Sequence, residues 1–116
     1  MAESPERIPK LAKCRDKVKD IEKAEDRLLE ALKLYEAGHT GYAVSRMGAA
    51  MTSLALAKSK GLITSDEWRD LAGRISSLRK QMADRAAPPS EIEGEIRKLE
   101  RDLLTKYLTE FERCLL

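Results

Sequence analysis

The chain reads as all-α: an antiparallel four-helix bundle, up-down-up-down, with a short irregular turn at its N-terminus. Three observations predict this. Ala, Leu, Glu, Lys and Arg dominate, aromatic residues make up only 4% of the chain, and no alternating β-branched run occurs, which is the composition of helices. Apolar residues recur at spacings of three and four in four successive stretches. The breaks between those stretches are short and carry glycine or a proline pair, and short connections make successive helices antiparallel neighbours. At 116 residues a single domain is expected, long enough to bury a core without metal or crosslinks. Residues 1–9 are expected to be a flexible segment and 10–116 the helical-bundle domain.

The first helix carries a heptad-like seam of Leu11, Cys14, Val18, Ile21, Glu25, Leu28, Leu32 and Tyr35. Glu25 is a defect in that seam, expected to face water or meet a basic partner. Ser4-Pro5-Glu6 has the form of a helix start, and Pro9 should set the first turn apart or kink it. Gly38 should end the helix, since glycine takes the left-handed cap conformation at no steric cost.

The second helix is expected from Thr40 to about Ser59, with Gly61 as its stop. The third opens on Thr64-Ser65-Asp66-Glu67, a capping box in which Thr64 and Glu67 each satisfy a free backbone N–H, with Ile63 and Trp68 spaced as a hydrophobic staple. Trp68, Leu71, Ile75, Leu78 and Met82 continue as one stripe. After the proline pair of "AAPPSEIE", Ser90 to Glu93 has the spacing of a second capping box. The fourth helix follows, with Ile92, Ile96, Leu99 and Leu103, then Leu104, Leu108, Phe111 and Leu115. That stripe drifts around the helix because its period is 3.6 rather than 3.5.

The second helix differs from the rest. In a chain that is 36% charged, "GYAVSRMGAAMTSLALAKSKG" holds only Arg46, Lys58 and Lys60, and it is rich in Gly, Ala and Ser. A helix that is apolar or small nearly all round is contacted on most sides. Bundle neighbours leave part of it uncovered, so the surplus predicts contact with another protein chain or a second copy of this one. Ser45, Ala49, Thr52 and Ser59 are the candidate interface residues. Its longest uncharged run, Met47 to Ala57, falls well short of the ~20 apolar residues of a membrane span.

Charge is uneven along the chain. Residues 37–86 hold eight basic and four acidic side chains, a net charge of +4, while residues 87–116 are net −2. Arg46, Lys58, Lys60, Arg69, Arg74, Arg79 and Lys80 are therefore candidates for contact with an RNA or DNA backbone, whose counterions Lys and Arg release. At the level of architecture, a small helical bundle with such a basic face resembles the small subunits of CRISPR effector complexes. The resemblance implies a ribonucleoprotein subunit and rests on no motif.

Little in the chain points to catalysis. The sole histidine, His39, does form a Glu-x-x-His spacing with Glu36, but a carboxylate-bridged di-iron centre needs a second such motif. Because His39 follows Gly38, it is expected in a loop. No nucleophile and base lie close in sequence, and no Gly-rich phosphate loop follows a strand. No catalytic, cofactor-binding or metal-ligating residues are assigned, and a non-enzymatic protein is expected. Cys14 and Cys114, a hundred residues apart, are expected to be reduced thiols of a cytoplasmic protein. The bundle topology nevertheless puts both at one end, near enough for oxidation to join them. "MAESPERIPK" lacks the apolar stretch of a signal peptide.

Overall fold

Helix-forming composition and glycine breaks produce five helices: α1 (Arg7–Lys17), α2 (Lys19–Glu36), α3 (Thr40–Ser59), α4 (Ser65–Ala83) and α5 (Pro89–Leu115). The computed structural model describes residues 7–116, and no strand occurs among them. The Ser4-Pro5-Glu6 start and the rest of 1–6 lie outside the described residues, while Arg7, Ile8 and Pro9 form the first turn of α1. Proline is tolerated there because the first-turn N–H groups have no partner within the helix.

The expected single first helix is two, which corrects the count from four to five. The break is at Val18 (φ −96°, ψ 5°). There the Ile21 N–H donates to the Val18 carbonyl at 3.1 Å, a tightened turn in place of the α-helical bond. No proline or glycine stands nearby, so the cause is tertiary. Cys14 is buried and bonded to Cys114, with Cα atoms 5.6 Å apart, and α1 accordingly follows α5 more closely than α2. The two cysteines are thus a disulfide, not the free thiols expected. The cytoplasmic assignment loses the observation it rested on, since disulfides persist in oxidising compartments. Closing a loop of this length stabilises a fold by about 4 to 5 kcal/mol on the chain-entropy account.

The α2–α3 contact explains half of the small residues. Two ion pairs, Arg46 with Glu30 at 3.1 Å and Lys60 with Asp20 at 2.6 Å, fix an antiparallel register. In that register Tyr35 faces Ala43, Ala31 faces Met47, Leu28 faces Ala50, Ala24 faces Leu54 and Ile21 faces Ala57. All ten are buried. A large side chain meets a small one in every layer, so the two backbones lie close along more of their length than any other pair.

The remaining helices complete the core. Met51, Ser76, Gly48 and Arg79 mark an antiparallel α3–α4 contact. Between α4 and α5 run the side-chain pairs Arg74–Asp102 at 2.7 Å and Lys106–Glu67 at 3.0 Å. Tyr35 Oη donates to the Ala87 carbonyl at 2.7 Å and ties α2 to the loop before α5. Leu71, Ile75, Leu78 and Met82 are buried as the stripe predicted, with Trp68 half-buried.

Helix ends follow local chemistry in most places. The Thr64–Glu67 capping box forms with both bonds, 3.1 and 2.8 Å. Lys106 adds to it, and together these contacts outweigh burial and hold the Glu67 carboxyl below its ordinary range. The second capping box does not form: α5 begins at Pro89, ahead of Ser90, because proline suits the first helical position. Gly38 (φ 86°) and Gly61 (φ 78°) close α2 and α3 in the left-handed conformation, each with the paired bonds of a Schellman motif. At the end of α4 the same motif is built on Arg85 (φ 51°).

Three substitutions test these points. A left-handed non-glycine residue costs roughly 1 to 2 kcal/mol, so Arg85→Gly should stabilise the protein by about 1 kcal/mol in urea denaturation. Asp20 has a side chain only 4% exposed, whereas that of Lys60 is 39% exposed. Their approach is close but off-axis, so it is an ion pair without hydrogen-bond geometry. Lys60→Met strands a buried carboxylate and should cost about 3 kcal/mol. Asp20→Asn frees only a lysine that can reach water and should cost less.

Candidate protein-interaction surface

The heptad spacing that buries one face of α3 recurs on the opposite face. Ala43, Met47, Ala50, Leu54 and Ala57 step by four and three and point into the core. Tyr42, Ser45, Ala49, Thr52, Leu56 and Ser59 step by three and four, offset from the first set by half a turn. This second seam faces outward. Tyr42 is 71% and Leu56 50% exposed, Ser45, Thr52 and Ser59 are exposed, and Ala49 is half-exposed. The structure therefore aligns all four interface candidates on one side of one helix. Sequence reasoning missed Tyr42 and Leu56, the two large side chains of the seam, although the same three-four spacing would have found them.

The hydroxyls on this face are partly spent. Thr52 Oγ1 donates to the Gly48 carbonyl at 3.2 Å and Ser59 Oγ to the Leu56 carbonyl at 2.7 Å. Each bond returns to the residue's own helix, leaving methyl and methylene surface outward. No charged side chain interrupts the seam. Such a surface can receive another helix at short range.

The basic candidates are distributed differently. Arg46 pairs with Glu30, Lys60 with Asp20, Arg69 with Asp66 and Arg74 with Asp102 and Asp70. Burial works against the charge of Arg74, but the two aspartates prevail and raise its pKa. The guanidinium of Arg79 lies over Gly48, where an added Cβ would touch it at 3.4 Å. Lys58 and Lys80 have no ion pair among the described residues. The seven are therefore not one free basic patch.

His39 precedes the first turn of α3, exposed, with its ring edge-on to Tyr42 at 6.4 Å. Glu25, expected to face water or meet a basic partner, lies instead among acids. It is half-buried between α2 and α5. Burial first, then Asp26, Glu100 and Glu22, push its pKa from 4.5 up to about 7. Burial also raises Glu100, against the pull of Arg97, and Glu100 Oε1 is buried without a hydrogen-bond partner.

The sign of the effect follows from proton linkage. Folded Glu25 holds its proton more tightly than the unfolded chain does, so stability falls as pH rises from about 4.5 to about 7. Glu25→Gln should flatten that slope, leaving only the part that the raised Glu100 contributes, and raise the melting temperature above pH 7 relative to the parent. An unchanged slope would place the titration elsewhere. Compared with protein-family models, with curated proteins and with solved structures, the chain has no match.

Proposed function

We propose that the chain is a non-enzymatic helical interaction subunit. It takes α2 to α5 as an up-down-up-down bundle, with α1 as an appended arm. The outer seam of α3 receives a helix of another protein, or of a second copy of the chain. One observation carries the reading: an uncharged, exposed heptad seam in a chain that is 36% charged. Solvent-facing helix surfaces are ordinarily charged, and small residues at three-four spacing admit a second backbone. Tyr42 and Leu56, at opposite ends of the seam, are the large side chains suited to a partner's hollows.

The alternative is a ribonucleoprotein subunit, such as that of a CRISPR effector complex, gripping a nucleic-acid backbone through the α3–α4 hairpin. The net charge of that segment supports it. The ion pairs of Arg46, Lys60, Arg69 and Arg74 weigh against it, because paired charges release fewer counterions.

Ala49→Arg and Thr52→Arg separate these readings. Each should abolish partner association while leaving helical circular dichroism intact and stability within about 0.5 kcal/mol, as substitutions on an exposed face do. Unfolding of both variants would sink the interface, since the seam would then be core. Retained association together with salt-dependent RNA binding, lost on Lys58→Glu with Lys80→Glu, would favour the ribonucleoprotein reading.

A further inference from the structure

The drifting stripe of α5 leads to a second surface. Ile96, Leu99 and Leu103 are buried, but Leu104 and Leu108 are each about half exposed. A drift of about a third of a turn has carried the apolar residues off the core and onto the outer side of α5. Ile8 and Leu116 are exposed at the same end of the molecule, where the disulfide joins α1 to α5. Among the described residues, four of the six exposed large apolar side chains thus lie here, away from α3. Burying apolar area is favourable at about 25 cal/mol per Å², so their concentration at one end is informative.

Beside this ridge is a hollow of about 600 Å³ between α1, the start of α2 and α5. Leu11, Tyr107 and Phe111 form its apolar floor, with the two aromatic rings parallel at 6.1 Å. Leu104 borders the adjoining hollow next to Tyr107, and Leu108 stands one turn further along the same face. Ridge and hollow are neighbours on one side of the protein.

We propose that this end of the molecule is a self-association surface, in which the Leu104–Leu108 ridge of a second copy fills the hollow between α1 and α5. The occupant follows from the charges around the rim. Three are basic, Arg15, Lys19 and Lys23, and three are acidic, Asp16, Glu22 and Asp26. The rim is therefore neutral, and a polyanion or an anionic membrane would meet as many repelling as attracting groups. Arg15 stands at the α1 end of the rim and Asp26 at the α2 end. A two-fold axis sets the α1 end of one copy against the α2 end of the other and pairs opposite charges twice. Since ridge and hollow adjoin, both leucine contacts form at once and the assembly closes as a dimer.

Sedimentation equilibrium on the full, oxidised chain tests it. A concentration-dependent dimer is expected. Leu108→Glu should raise its dissociation constant by about thirtyfold or more, as loss of a central apolar anchor does, with the melting temperature of the monomer unchanged. Arg15→Glu and Asp26→Arg should each weaken the dimer alone, whereas an equimolar mixture of the two should associate as tightly as the parent. Ala49→Arg should leave this dimer intact, which separates it from association through α3. A chain that stays monomeric at submillimolar concentration overturns the proposal. So does a dimer indifferent to Leu108→Glu, or one abolished by Ala49→Arg.

Discussion

Size complementarity between α2 and α3 is the constraint on which the other contacts depend. Each layer of that pair sets one large side chain against one alanine, and the alternation reverses from helix to helix: Tyr35 on Ala43, then Ala31 on Met47. A methyl added on the small side would have nowhere to go, because packed cores resist overfilling as firmly as they resist cavities. α2 also carries α1, through the buried Val18, and α5, through Tyr35 and its bond to the Ala87 carbonyl. Any shift of α2 away from α3 would therefore carry its attachments to α1 and α5 with it. The Asp20–Lys60 and Glu30–Arg46 pairs do not supply this close packing, but they exclude neighbouring registers in which large would meet large.

Much of this was legible in the sequence where chemistry is local. Gly38, Gly61 and the Thr64–Glu67 box mark helix ends because the relevant bonds span three to six residues. The stripe from Leu71 to Met82 was equally plain. What escaped was either small or distant. Ala24 and Ala31 are core residues of α2 that no hydropathy pattern separates from surface alanines. Asp20 looked like any other helical acid, although the end of α3 covers it. The break at Val18 has no residue of its own to announce it and lies four residues after Cys14, which is bonded to a cysteine a hundred positions away. Ser90 offered a plausible cap, but Pro88, two positions earlier, takes that place with Pro89 as the first helical residue.

The interface candidates divide along the same line. That Ser45, Ala49, Thr52 and Ser59 share one side of α3 is legible because spacing on one helix is a local property. Their backing was not: the opposite face of α3 is committed to α2, so the outer seam is rigidly presented and cannot rotate inward. The basic residues fared otherwise. Their count in the hairpin is visible in the sequence, but whether Arg46, Lys60 and Arg74 are free depends on acids in α2 and α5, beyond the reach of any segment-by-segment charge tally.

The disulfide has a mechanical consequence. Cys14 and Cys114 are joined close to the two ends of the described chain, so a pull applied to those ends passes through one covalent link. The hundred residues of sequence separation between the two cysteines form a closed loop hung beside that link, under no tension. α3 and α4, and the outer seam with them, would keep their shape while neighbouring chain was stretched. With the bond reduced, the same pull would peel α1 from α5 end to end, a geometry in which contacts break one at a time.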